Sequence, residues 1–329
     1  MHAIVQETKR RSGWAAKRTL SALGIGRGTY YRWLKEEAWA KERKAEVRPV
    51  QPYEALPEER AAVVAYARSH PEIRHRELSW RMIDEDVAYL SASTVYRILR
   101  EEELMFRHRG RNKRYRDEVE KAMRPDERWA TDLMYVKVGE AFYYYVGFLD
   151  EYSRYIVHWE LLSNMDGDSV SLAGQAALET LPRDEEGRLL SKPEIRTDHG
   201  SGYVSQEFHG LLEYHGLTHV KIRPHCPEEN GLMERSNRTL REALEGEEFT
   251  NRYEAEEAFG RIIEWYNTER LHSSLGYLRP VDYYRGKPIE LHEARRKKLA
   301  TARHRRREKN LSLRQPTLAL ERDQPVTNH

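Results

Sequence analysis

Apolar and polar positions alternate with a helical period over the first third of the chain and with a strand period from about residue 130 onward. Residues 14–35 (WAAKRTLSALGIGRGTYYRWLK) predict a helix ending near Gly24, a tight turn through Gly26 and a second helix opening near Arg27. Leu20 and Leu23 on the first, and Tyr31 and Leu34 on the second, have the spacing to pack the two together. The polar, proline-marked stretch 47–57 (VRPVQPYEALP) reads as a linker. Three helices follow. Residues 58–69 carry Ala62, Val63 and Tyr66 inward, 77–86 carry Leu78, Met82 and Ile83, and 94–103, capped by Ser91 or Ser93, carry Val95, Ile98 and Leu99.

Residues 131–138, 141–149 and 155–162 are then rich in β-formers and joined by short connections, as in an antiparallel meander. A helix over 168–181 places Val170, Ala173, Ala177 and Leu181 on one stripe. Next come a short strand ending at Asp198, a helix over 205–215, a strand over 218–222 and a long helix from about 227 to 245. The order βββαβαβα predicts an α/β domain with a mixed five-stranded sheet flanked by helices. It is the order of an RNase H-like core. The expected division is a helical unit over 1–46, a linker over 47–57, a second helical unit with a basic linker over 58–116, the sheet domain over 117–288, and a basic, partly disordered tail over 289–329.

Composition narrows the class. Charged residues make up 33% of the chain, no apolar run approaches the roughly 18 residues a bilayer span needs, and MHAIVQETKRR lacks the apolar core of a signal peptide. The expectation is a soluble, cytoplasmic protein that does not engage a membrane. A single cysteine, Cys226, excludes an internal disulfide and any Cys-x-x-Cys zinc site. The net charge of +2 hides local excess: residues 105–116 hold six Arg or Lys and no acid, and residues 293–309 hold nine against two. Such blocks suit phosphate backbones, which makes Arg109, Arg111, Lys113 and Arg114 candidate contacts to double-stranded DNA. The two helical units each resemble a helix-turn-helix. In that motif the second helix enters the major groove, so Arg27, Thr29, Tyr30 and Arg32 in the first unit, and Thr94, Tyr96, Arg97 and Arg100 in the second, are the candidate DNA-facing residues.

Three acids stand out from the 54 in the chain: Asp132 in WATDLMYVKV, Asp198 in IRTDHGSGYVS and Glu234 in PHCPEENGLMERSNRTLREAL. Two sit at the ends of predicted strands and one on a predicted helix. Hard cations prefer oxygen ligands, so three such carboxylates can hold a pair of divalent ions against a phosphodiester. On the long helix, Asn230, Glu234, Asn237, Arg238 and Arg241 share one face, expected to meet ions and DNA, while Met233, Leu240 and Leu244 form the adjoining apolar stripe. Asp150, Glu151, Asp166, Glu228 and Glu229 are read as ordinary charges, with Asp150 capping a turn through Ser153 and Arg154. His215, His219, His225 and Cys226 lack convergent spacing for zinc. Tyr143, Tyr144 and Tyr145 follow a strand pattern rather than that of a covalent tyrosine nucleophile.

Residues 130–285 resemble the catalytic domain of DDE-type transposases and retroviral integrases, most closely the second-reading-frame (OrfB-like) proteins of bacterial insertion sequences. The pieces that carry the likeness are TDLMYV, TDHGSGYVS, PEENGLMERSNRTLR and YNTERLHSSLGYLRPVDYY, the last marking Tyr266, Asn267, Arg270, His272 and Pro280 as a closing motif. The resemblance implies that Asp132, Asp198 and Glu234 bind two magnesium or manganese ions. It further implies an enzyme that cleaves transposon-end DNA and joins it to a target, working as a homo-oligomer on DNA, with an upstream-frame DNA-binding protein as a candidate partner. One departure is EIRHREL over 72–78, where relatives commonly carry Tyr-Gly-x-Arg. Two other readings fit the same residues: a catalytically inactive DNA-binding regulator that keeps the fold, and a simple RNase H-like nuclease.

Overall fold

The structure, a computed structural model, describes residues 2–35, 50–105, 121–222 and 230–322. It divides into two units: Met1–Leu56 together with Arg303–His329, and Pro57–Ala302.

In the first unit, helices α1 (His2–Ser12), α2 (Ala16–Ala22) and α3 (27–35) enclose a small core of Val5, Leu20 and Tyr30, with Ala16, Ile25 and Leu34 packed against it. Tyr30, not Tyr31, turns inward, because Tyr30 and Leu34 lie one full turn apart on a single face. Tyr31 is 52% exposed and Leu23 47%, correcting the expectation that both pack between the helices. Burial also removes the Tyr30 side chain from the groove-facing set. Arg27 and Arg32 are exposed and Thr29 partly so.

The second unit begins with α4 (Pro57–Ser69), α5 (His75–Asp84) and α6 (Ala92–Glu101), whose buried faces carry Val63, Tyr66, Leu78, Met82, Ile83, Val95, Ile98 and Leu99. Ser91 caps α6, its Oγ accepting from the Thr94 amide at 3.3 Å. Arg97 and Arg100 are exposed; Thr94 is partly buried, and Arg97 Nη2 donates to its hydroxyl at 3.3 Å. Arg109, Arg111, Lys113 and Arg114 lie outside the described residues.

Strands β1 (Arg128–Val138), β2 (Ala141–Asp150), β3 (Ile156–Leu162), β4 (Glu194–Thr197) and β5 (His219–Lys221) form one sheet in the order β3-β2-β1-β4-β5. The first three pair antiparallel, while β4 is parallel to both β1 and β5. This is the mixed RNase H-like sheet that the element order predicts. Helices α7 (Gly167–Glu179) and α8 (Gln206–His215) cover one face, burying Trp129, Phe148, Val170, Ala177, Tyr203 and Phe208. Helices α9 (Gly231–Ala243) and α10 (Arg252–Thr268) cover the other, with Met134, Tyr145, Met233, Leu240, Phe259 and Tyr266. Burying both faces explains why β2 reads as an almost unbroken apolar run.

One difference concerns the end of the chain. After α10 and the short α11 (Pro280–Tyr284), residues expected as a partly disordered tail form α12 (Pro288–Arg322). Its fixing residues are polar, so no apolar stripe announces them. In the second unit, the Arg295 guanidinium donates to both Asp84 oxygens at 2.8 and 2.6 Å and to the carbonyls of Gly276 and Tyr277. In the first, the buried Asn310 amide donates to the carbonyls of Gln51, Pro52 and Glu54.

Candidate active site

Strands β1 and β4 pair Arg128 with Glu194, Trp129 with Ile195 and Ala130 with Arg196. Carried two residues further, that parallel register sets Asp132 level with Asp198, where β4 has ended. Alternation along β1 then decides direction: Ala130 and Met134 belong to the α9 side, so Asp132 between them leans toward the same helix. The contact exists. Asn237 Nδ2 donates to Asp132 Oδ2 at 3.0 Å.

The Asp132 carboxyl is pushed up to about 6, by burial first, then by the nearby Asp198 charge and, more weakly, by Glu234, with bonds from the Leu133 amide and Asn237 opposing. All three acids therefore share one electrostatic neighbourhood. Asp198 is held by its own turn, Oδ1 accepting from the Gly200 amide at 2.8 Å. Glu234 stands exposed in the first turn of α9. Among the described residues, no three His, Cys, Asp or Glu side chains are drawn tightly enough to enclose a metal ion.

Behind the acids lies a hydroxyl pair that no local motif singles out. Thr131 precedes Asp132 and so points to the opposite sheet face, where its Oγ1 lies 2.9 Å from the fully buried Tyr203 hydroxyl. Tyr203 is held well above its ordinary value, chiefly by burial, with Asp132 and Asp198 adding repulsion. Across β2, Asp132 faces Gly147. A Cβ there would sit 2.4 Å from the Tyr145 hydroxyl, so only glycine leaves room for that ring.

Other candidates fall out differently. Asn237 is 4% exposed and Asn230 8%, which places both inside the protein rather than on a DNA-facing surface. The reason is geometric: Asn237 is four residues from Met233 and three from Leu240, so it shares their buried stripe. Arg238 and Arg241 are exposed, the former paired with Glu242 at 2.7 Å. Asp150 caps its turn, accepting from the Ser153 amide at 2.7 Å and hydroxyl at 2.5 Å. Glu151 pairs with Arg196 at 3.1 Å, and Asp166 caps α7 through the Ser169 amide. Glu228, Glu229, His225 and Cys226 lie outside the described residues.

Comparison with known proteins bears on this region. The integrase core domain family matches residues 122–227, and a second integrase core domain family matches residues 215–280. The transposase for insertion sequence element IS904 of Lactococcus lactis subsp. lactis (strain IL1403) is 31% identical over 51% of this chain and 64% of its own length. That for IS629 of Shigella sonnei is 30% identical over 49% and 52%. The chain thus spans between about half and two-thirds of the length of these relatives. Among solved structures, the HTLV-2 integrase catalytic core domain in complex with magnesium aligns at 18% identity with a TM-score of 0.39, over 50% of this chain and 99% of that one. Residues 122–280 match integrase core domain families, and over about half of its length the chain is similar to transposases of bacterial insertion sequences.

Proposed function

We propose that this chain is a transposase that cleaves the ends of a mobile DNA element and joins them to target DNA, with Asp132, Asp198 and Glu234 as its catalytic carboxylates. The observation that carries the reading is that the β1–β4 register sets Asp132 level with Asp198 while the Asn237 bond ties Asp132 to the helix that bears Glu234. Mutual repulsion between carboxylates so placed is what divalent charge relieves, and an all-carboxylate donor set suits two magnesium or manganese ions. Bound there, the ions would polarise the scissile phosphodiester and favour an attacking water or 3′-hydroxyl.

The chain's own residues supply orientation. Asn237 fixes one Asp132 oxygen and the Gly200 amide fixes one Asp198 oxygen, leaving the remaining lone pairs for ligands. The exposed Arg238 and Arg241 continue the Glu234 face of α9 outward and suit a phosphate backbone. The helical units α2–α3 and α5–α6 would read terminal DNA through Arg27, Arg32, Arg97 and Arg100. Joining two ends requires two sites near each other, so the working form is a homo-oligomer on double-stranded DNA, and an upstream-frame DNA-binding protein is a candidate partner. No described helix is long and apolar enough to cross a membrane.

The test is incubation of wild type, Asp198→Asn and Glu234→Gln with manganese and labelled duplex copied from the DNA flanking the coding region. Cleaved and joined products from wild type, with DNA binding alone from both variants, are expected. Unchanged product from either variant refutes the catalytic assignment. Cleavage without joining indicates a nuclease, and binding without cleavage by wild type indicates a regulator.

A further inference from the structure

Arginines in the sheet domain are mostly matched to carboxylates: Arg128 to Glu194 at 2.6 Å, Arg196 to Glu151 at 3.1 Å, Arg279 to Asp282 at 2.7 Å and Arg295 to Asp84 at 2.6 Å. One group departs from that rule. Arg270, just past the end of α10, places Nη1 2.8 Å from Nε2 and 3.2 Å from Nδ1 of the buried His272, and lies 5.6 Å from the Tyr266 ring centroid. Tyr266 and His272 meet edge to face at 4.9 Å. The Arg154 guanidinium is turned onto the Glu151 backbone carbonyl, and Arg235 is exposed on α9, which packs against α10. Among the described residues none of these three guanidinium groups has a carboxylate within 4.0 Å.

The acids near enough to act on Arg270 are Glu77 and Glu242, and both are already engaged, with Arg81 at 3.1 Å and Arg238 at 2.7 Å. Arg270 touches the imidazole, and Arg154 and Arg235 add their charge to it from further off, Arg154 being partly offset by Glu151 and Asp150. Burial, Arg270, Arg154 and Arg235 together push His272 down to about 3, so at neutral pH the ring is uncharged and accepts a hydrogen bond from Arg270. A partly buried guanidinium without a counter-ion is costly, and a doubly shared oxyanion would repay that cost.

We infer that Arg235 and Arg270, oriented by His272 and backed by Arg154, form a seat for a DNA backbone phosphate beside the carboxylate site. A strand phosphate is favoured over a free anion because Arg235 is exposed one residue along α9 from Glu234 and about 100° around the helix, so the two side chains suit successive points of one strand rather than one small ion. The inference rests on the transposase reading and deepens it: the same strand that enters the acids is gripped one step away. Phosphate of the element's end and phosphate of target DNA share this chemistry.

The test is the salt dependence of DNA binding by the full chain without added metal, for wild type, Arg235→Gln, Arg270→Gln and Arg270→Lys. Each is titrated with duplex copied from the flanking DNA and with a scrambled duplex of equal length. Losing a phosphate contact lowers the slope of log affinity against log salt by about 0.9. That decrease is expected for both glutamine variants, with the slope restored by Arg270→Lys. A decrease on both duplexes assigns the seat to DNA in general, and a decrease on flanking DNA alone assigns it to the element's end. An unchanged slope in Arg235→Gln, an exposed position whose fold is safe, overturns the inference, as does a lower melting temperature in Arg270→Gln with no change in slope. Failure of wild type to bind either duplex removes the transposase reading and the seat together.

Discussion

Asn237 and Asp132 are joined by one hydrogen bond, Nδ2 to Oδ2 at 3.0 Å, across more than a hundred residues of chain. The bond ties the middle of α9 to the strand that carries Asp132, whose carboxyl is pushed up by burial and by the Asp198 charge. It also fixes which Asp132 oxygen remains available.

Asn237→Ala should therefore lower DNA joining about 10- to 100-fold, the usual cost of losing a residue that orients a ligating carboxylate. DNA affinity should stay within twofold or so, since the side chain is buried away from solvent. Filter binding beside a joining assay separates the two quantities. Equal losses in both would return Asn237 to the DNA-contact set.

Tyr145 is fully buried and its hydroxyl has no partner among the described residues. Its phenol is accordingly held far above the usual range by burial. An unpaired buried hydroxyl costs stability that phenylalanine does not, so Tyr145→Phe should stabilise the sheet domain by about 1 kcal/mol. Chemical denaturation measures this directly, and a loss of similar size would show that the hydroxyl is satisfied in solution.

Arg295 is held within the second unit by Asp84, by two backbone carbonyls and by stacking 4.9 Å from the Trp80 ring centroid. Arg295→Ala should cost about 3 kcal/mol, the lower end for breaking a buried pair, because Asp84 remains 41% exposed and can be hydrated. A melting temperature equal to wild type would mean that α12 is not anchored there.

His272 is depressed from 6.5 to about 3 by burial and by its arginine neighbours. A histidine lowered on folding contributes stability that is complete above its unfolded value and is lost as pH falls from about 6.5 toward 3. Wild type should lose stability across that window relative to His272→Gln, with Asp126, Asp150 and Glu151 titrating alike in both chains. Parallel denaturation curves at stepped pH would contradict the buried, neutral ring.

Local pattern by itself determined the order of strands and helices from β1 to α9, because apolar periodicity is set by neighbours a few residues apart. It also singled out Asp132, Asp198 and Glu234 as candidates, since their surrounding motifs are contiguous, and it gave the capping role of Asp150, whose partners lie within four residues. The helix α10 and the helical end of the chain were not legible: one carries its core residues among many charges, and the other is fixed by Arg295 and Asn310, which no hydrophobic count selects. Only tertiary structure decided that Tyr30 packs inward, that Asn237 serves Asp132 rather than solvent, and that the Arg270 guanidinium is set against the buried His272 ring. These outcomes depend on the register between β1 and β4 and on where α9 and α10 cross the sheet. Such relations are settled by which distant surfaces bury together, a choice that residues adjacent in the chain do not encode.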